Sequence, residues 1–290
     1  MATQKNNIKA IAPKKSLGQN FLTDKNYCRK IVDLLGDIDG CDVLEIGPGS
    51  GAITGIILEK GANLLSVDVD SRAIEHLQGV FAEYMPEKFN LLNMDIRQYD
   101  LYKHFQRTGK RLKVIGNIPY NISSEIFFWL FENTAYVETA VLTVQKEVAQ
   151  RVTAPAGNKS YGIMTLALNL VGKGKIAFDI PPGVFYPPPK VTSSTFRMDF
   201  FDNPPSREYF NGIMKLIRAS FNYRRKMLSN CFKVYCGSHG VEGLYEMFFN
   251  SNERIPVYMQ MRAEQLDLAD YEFLYSELKK LVENSGQTNG

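Results

Sequence analysis

Four short stretches of this 290-residue chain carry residue types that can do chemistry, and each closes a run that reads as a strand. In "VLEIGPGSGAIT", Gly47, Gly49 and Gly51 let the backbone turn tightly and let a ligand approach it closely. A helix opening behind them favours an anionic group. Asp68 closes the next run, where an acid grips a ribose. "NMD" puts Asp95 at the end of the third, where a carboxylate can accept from an adenine amine. The fourth ends in Asn117, Ile118, Pro119 and Tyr120. Gly47-x-Gly49-x-x-Ala52 also meets the loose dinucleotide fingerprint, so an NAD enzyme competes on these facts. Glu45 tilts the choice. A carboxylate beside the loop repels a pyrophosphate and attracts a sulfonium or ammonium, which favours S-adenosylmethionine.

The fourth strand end suits methylation of an exocyclic amine on a base. The amine's lone pair is delocalised into the ring and must be localised and aimed. The Asn117 side-chain oxygen and the Ile118 carbonyl are two acceptors for its hydrogens, with Pro119 fixing the backbone between them. Tyr120 offers a stacking face worth about 1–3 kcal/mol. Orientation of this kind can supply roughly 7–11 kcal/mol of a barrier, without a strong general base.

The elements that must position these residues alternate. Strand-like runs lie at 42–47, 63–69, 89–95, 112–116, 140–144, 175–180 and 194–200; helical patterns lie at 52–60, 72–83, 124–131, 146–152 and 162–171. Such alternation predicts an α/β, Rossmann-like sheet of seven strands, mostly parallel. Only the Pro-rich loop "PPGVFYPPPK" separates the last two runs, which predicts an antiparallel last strand. Ligands of open α/β sheets bind at the carboxyl ends of strands, so the four stretches meet in one crevice. After "FDNPPSRE" only helical patterns appear. The expected domains are therefore residues 1–204, with a basic segment 1–23 near the cofactor, and a small all-α domain at 205–290.

The hydrophobic fraction of 44% supports a real core, and the longest apolar run, near 126–131, is too short for a spanning helix. The first residues lack an apolar signal region and the first arginine is Arg29, so the expected home is the cytosol, with no membrane partner. The four cysteines form no C-x-x-C pair and no metal site is expected. Net charge is only +3, yet its distribution is uneven. Lys14 and Lys15 sit in one acid-poor segment, and Arg224, Arg225 and Lys226 sit in another that holds no Asp or Glu from Asn211 to Val241. Two such segments suggest an RNA-like polyanion, with these five residues holding phosphates.

Eight motifs in order resemble the ribosomal RNA adenine N6-dimethyltransferases over nearly the whole length. They are "KKSLGQNFL", "VLEIGPGSGAIT", "NMD", "GNIPYNIS", "QKEVAQR", "FYPPPKVTSS", "SFNYRRKMLSN" and "MRAEQL". The resemblance implies S-adenosylmethionine as cofactor and dimethylation of two adjacent adenosines near the 3′ end of small-subunit rRNA. The partner would be a pre-30S-like particle, met by a monomer. It also implies that Asn20 and Leu22 contact the cofactor and that Phe185 covers the second face of a flipped adenine. Where the family usually carries glutamate for the ribose, this chain has Asp68, one methylene shorter. A large-subunit adenine methyltransferase of the macrolide-resistance type shares the "NIPY" spelling, although "FYPPPKV", "FNYRRKMLSN" and the long helical C-terminus look more like the small-subunit branch. A non-catalytic assembly factor on the same fold is the other alternative.

Overall fold

The structure is a computed structural model that describes residues 11–241 and 243–286. The first ten residues of the basic segment expected at 1–23, and residues 287–290 of the expected helical domain, lie outside the described residues. The chain divides into two compact units, 1–150 with 172–204, and 151–171 with 205–290.

The first unit is built on a sheet. Its strands are β1 (Phe21–Leu22), β2 (Asp42–Ile46), β3 (Asn63–Asp68), β4 (Phe89–Asn93), β5 (Leu112–Asn117), β6 (Val137–Gln145), β7 (Gly172–Ile180), β8 (Phe185–Tyr186) and β9 (Ser193–Phe200). Seven of them form one sheet in the order β4-β3-β2-β5-β6-β9-β7, while β1 and β8 pair as a separate antiparallel ribbon. The pairs from β4 to β6 are parallel, and β9 runs antiparallel to both β6 and β7. All seven expected strands are present, and the antiparallel one is the last in the chain. The central strands β2 and β6 are buried almost without interruption because both faces are covered, as parallel strands require.

Helices α1 (Lys25–Asp33), α2 (Thr54–Glu59), α3 (Ser71–Val80), α4 (Leu101–Thr108), α5 (Ser123–Glu132) and α6 (Lys146–Thr153) follow the strands. Several start on an aspartate whose carboxylate accepts from orphan N–H groups of the first turn. Asp24 serves Asn26 and Tyr27 of α1, Asp70 serves Arg72 of α3, and Asp100 serves Lys103 of α4. The core joins Ile31 and Val32 of α1 to Ile57 of α2, Leu77 of α3, Phe89 and Ile115, all fully buried.

The second unit holds α7 (Ile163–Val171), α8 (Arg207–Asn222), α9 (Leu228–Gly237), α10 (Leu244–Asn250), α11 (Ile255–Met259) and α12 (Leu268–Gly286). Phe232 of α9 stacks on Phe248 of α10 with ring centroids 5.3 Å apart, a pair worth about 0.5–1.5 kcal/mol beyond its burial. Tyr271 of α12 is fully buried and donates its hydroxyl to the Ala263 carbonyl. Residues 151–171, expected in the first domain, group with this unit instead. The reason is long-range bonding: the buried Tyr161 donates to the Leu266 carbonyl at 2.9 Å, and the Gly157 N–H donates to the Glu264 carbonyl at 3.1 Å.

Candidate active site

The glycine loop leaves β2 with Gly47, Gly49 and Gly51 all in the left-handed region, at φ 66°, 53° and 82°. Each glycine has a different reason. A Cβ on Gly51 would stand 2.6 Å from Leu77 Cδ2, and one on Gly49 would stand 2.8 Å from the Phe21 ring. A Cβ on Gly47 would meet nothing within 4 Å, so this peptide faces open space. That space is a cavity lined by Leu17, Asn20, Phe21, Gly47, Asp68 and Asn117, among others. It adjoins a second of about 180 Å³ bounded by Gly47, Asp68, Asp95, Arg97 and Pro119.

Asp68 and Asp95 border these spaces, and Glu45 borders a smaller pocket beside the same loop. Glu45 is buried and accepts from the Thr54 and Ser66 hydroxyls, each at 2.7 Å. Burial nevertheless pushes its carboxyl up to about 7. Asp68 accepts from the Asp70 N–H at 2.9 Å and the Gly49 N–H at 3.4 Å, which ties the end of β3 to the glycine loop. Its carboxyl is also raised, chiefly by burial. Asp95 is more open, and the Arg97 guanidinium chelates it, with Nη2 at 2.5 Å and Nε at 3.0 Å from the carboxylate. Those hydrogen bonds hold the Asp95 carboxyl below the usual carboxylate range. An adenine amine would therefore share this carboxylate with Arg97.

At the end of β5, Asn117 donates its amide Nδ2 to the Asn20 carbonyl at 2.8 Å. That bond commits the nitrogen and leaves Oδ1 as the acceptor end of the side chain. The Ile118 side chain is buried and its N–H donates to the Thr143 carbonyl at 3.0 Å, so the peptide is pinned beside β6. Pro119 sits at φ −55° and ψ 133°, and Tyr120 opens a single 3₁₀ turn. The Tyr120 hydroxyl lies 2.7 Å from Ser193 Oγ, a fully buried group on β9, and burial raises the phenol's pKa. Asn117, Ile118, Pro119 and Tyr120 all line the cavity that contains Gly47, Asn20 and Asp68.

Not every expected residue reaches it. Leu22 is buried and borders a small pocket shared with Glu45, Gly47 and Asn117. Its ribbon partner Phe185 is buried in the core of the first unit, while the exposed aromatic of that ribbon is Tyr186. Lys14 stands 3.7 Å from the buried Asp70 carboxylate, which Gln19 and Arg72 also hold. Lys15 is exposed on the short turn Lys15–Leu17. In the second unit, Arg224 is engaged by Glu264 and the Lys159 carbonyl, whereas Arg225 and Lys226 are exposed.

Sequence reasoning missed Phe21, Asp70, Arg97 and Ser193. Phe21 and Ser193 lie inside quoted motifs, so the signal was present without a role attached. Asp70 was legible as a cap, because an aspartate precedes a helical pattern. Among the described residues, no group of three or more His, Cys, Asp or Glu side chains could hold a metal ion, and no helix is long and apolar enough to cross a membrane.

Comparison with known proteins is consistent along the chain. The family model for ribosomal RNA adenine dimethylase matches residues 11–277. The ribosomal RNA small subunit methyltransferase A of Ruegeria sp. (strain TM1040) is 35% identical over 274 residues, 93% of each chain. That of Desulforapulum autotrophicum is 40% identical over 220 residues, 75% of this chain and 76% of the relative. Among solved structures, a dimethyladenosine transferase from Plasmodium falciparum superposes with a TM-score of 0.74 at 25% identity, covering 90% of this chain and 98% of that one. The chain belongs to the ribosomal RNA adenine dimethylase family, and it is an rRNA (adenine-N6,N6-)-dimethyltransferase.

Proposed function

We propose that this enzyme uses S-adenosylmethionine to dimethylate the N6 amines of two adjacent adenosines near the 3′ end of small-subunit rRNA. It would act in the cytoplasm as a monomer on a pre-30S-like particle. Each adenine would be turned out of its helix to enter the cavity, at a cost of a few kcal/mol. One observation carries the reading. The four-residue stretch Asn117–Tyr120 shares a cavity with the open face of Gly47 and with Asp68, so a base held by the first would lie beside a cofactor held by the second. The names of the curated relatives support the small subunit as the target.

The residues fit this cofactor. Gly47 has no side chain where an amino-acid moiety would approach, Asp68 stands at the ribose position, and Glu45, whose carboxyl burial raises to about 7, becomes a carboxylate beside the loop when a cation lodges there. When bound, S-adenosylmethionine supplies an electrophilic methyl group. Asn117 Oδ1 accepts one amine hydrogen, because Asn20 has already taken its Nδ2. The Ile118 carbonyl accepts the other. Held by two acceptors, the nitrogen turns its lone pair out of the ring and toward the cofactor side. Tyr120 stacks on the base, and Ser193 keeps its ring in register. The amine loses its proton only after it has become cationic, so no side chain need be a strong base. Lys15, Arg225 and Lys226 hold phosphates.

The test is Asn117→Ala, assayed with labelled cofactor and under-methylated small subunits. Transfer is expected to vanish while particle binding persists. Equal rates for variant and parent would overturn the mechanism. Primer extension across both rRNAs from a deletion strain tests the target: a modification lost only from the large subunit would overturn the small-subunit assignment.

A further inference from the structure

The turn that joins α8 to α9 in the second unit runs from Tyr223 to Met227. It is tied down from below. The Lys226 N–H donates to the Tyr223 carbonyl at 2.7 Å, and the Leu228 N–H donates to the Met261 carbonyl at 2.8 Å. Met227 bridges to Arg262 in a short antiparallel contact. Arg224 is half-buried and already engaged: its guanidinium donates to Glu264 and, at 2.8 Å, to the Lys159 carbonyl. Its neighbours are more open: Tyr223 is 52% exposed, Met227 is 53% exposed, and Arg225 and Lys226 lie between them in solvent. No Asp or Glu occurs from Asn211 to Val241, and Glu264 is spent on Arg224. Tyr223 thus holds an aromatic ring open on a tied turn directly beside two cations. This matches the way single-stranded nucleic acid is gripped, with a base laid on a ring and its phosphates on nearby Arg and Lys.

We propose that Tyr223 is a stacking platform for an unpaired nucleotide of the RNA, with Arg225 and Lys226 on its flanking phosphates and Arg224, tied to Glu264 and Lys159, as the strut that holds the turn. The proposal rests on the reading that the enzyme binds rRNA. It separates three adjacent residue types by function. Stacking is indifferent to salt, whereas each phosphate contact contributes about 0.7–0.9 to the slope of log affinity against log salt. Because every base has a π-face, the platform tolerates any base.

The experiment measures binding of the full chain to under-methylated small subunits across a range of salt, with cofactor binding followed in a calorimeter. Tyr223→Ala is expected to weaken particle binding about 5- to 150-fold, one base–aromatic stack at about 1.4 kcal/mol per tenfold, with the salt slope unchanged. Tyr223→Phe keeps the parent affinity. Tyr223→Leu, which keeps apolar area without a π-face, behaves like alanine. Arg225→Ala and Lys226→Ala each flatten the slope. Cofactor binding stays at the parent value in all of them, since the cofactor residues belong to the first unit. Parent-like binding by Tyr223→Ala, or by Tyr223→Leu, would overturn the platform; the latter would point to an ordinary apolar contact with a protein. If the parent itself neither bound nor methylated small subunits, the functional reading would fail instead.

Discussion

Replacing Glu45 with glutamine is expected to change how the stability of this protein depends on pH. The Glu45 carboxyl titrates at about 7 in the folded chain against an ordinary value of 4.5, because burial outweighs the hydrogen bonds from Ser66 and Thr54. Between those two values the folded chain holds a proton that the unfolded chain has released. Stability therefore falls as pH rises through this window and is level above it. At about 1.4 kcal/mol per pH unit, the loss across the window is about 3 kcal/mol. Glutamine is neutral throughout and similar in shape, so it mimics the protonated acid and removes this component. Urea unfolding of parent and Glu45→Gln at a series of pH values reads it directly. Whatever the difference at low pH, it is expected to move in favour of the variant by about 3 kcal/mol between pH 4.5 and 7. Asp68 is raised in the same direction and faces Glu45 as a like charge, so removing the Glu45 charge relieves Asp68 as well and adds to the difference in the same sense. A difference that stays flat across the window would refute the claim that Glu45 is held protonated by burial. A corollary concerns ligand binding. A cation lodged beside Glu45 favours the carboxylate, so binding near pH 6 to 7 releases a proton, measurable by calorimetry in buffers of different ionisation heat.

Three further outcomes are expected. Ser193→Ala and Tyr120→Phe each break the 2.7 Å hydroxyl pair and slow transfer up to about tenfold, the worth of one hydrogen bond at about 0.5–1.5 kcal/mol. The double variant is expected to be no slower than Tyr120→Phe alone; additive losses would mean that Ser193 does not act through Tyr120. Gly51→Ala forces an L-residue to φ 82° and a Cβ to 2.6 Å from Leu77, and is expected to cost about 2–4 kcal/mol in urea unfolding, so an unchanged midpoint would contradict the geometry. Arg224→Ala is expected to lower the melting temperature while leaving the salt slope of RNA binding intact; a flatter slope would put Arg224 on a phosphate.

The sheet was legible because its central strands are buried on both faces. The apolar run at 140–144 reads as a strand whatever its neighbours, and strand-end logic then collects Gly47, Asp68, Asp95 and Asn117 at one edge. Helix α4 was not legible as a helix, since it buries only Leu101 and His104; its signals were the Asp100 cap and Gly109 at φ 67°. What stayed hidden in the site depends on rotamers and partners. Nothing in "NMDIRQ" says that Arg97 turns back to clasp Asp95, and nothing in "NYRRKM" says which arginine Glu264 engages. Phe185 and Tyr186 alternate across a two-residue ribbon, and only the pairing with β1 decides which ring is covered. The grouping of residues 151–171 rests on hydrogen bonds to residues a hundred positions away in sequence, which no local pattern encodes.

That grouping has a consequence for how the molecule is made and cut. The chain leaves the sheet after β6, spends residues 151–171 in the helical unit, and only then returns to lay down β7 and β9. During synthesis the sheet cannot close until this detour has emerged, and the detour lacks its packing partners until α8 and α12 follow. A fragment stopped at Pro204 would contain every strand, yet it would leave the apolar residues of α7 without α8 and α12 to cover them. A soluble catalytic fragment is therefore not obtained by truncation at the linker; it requires the detour to be shortened or its apolar face rewritten.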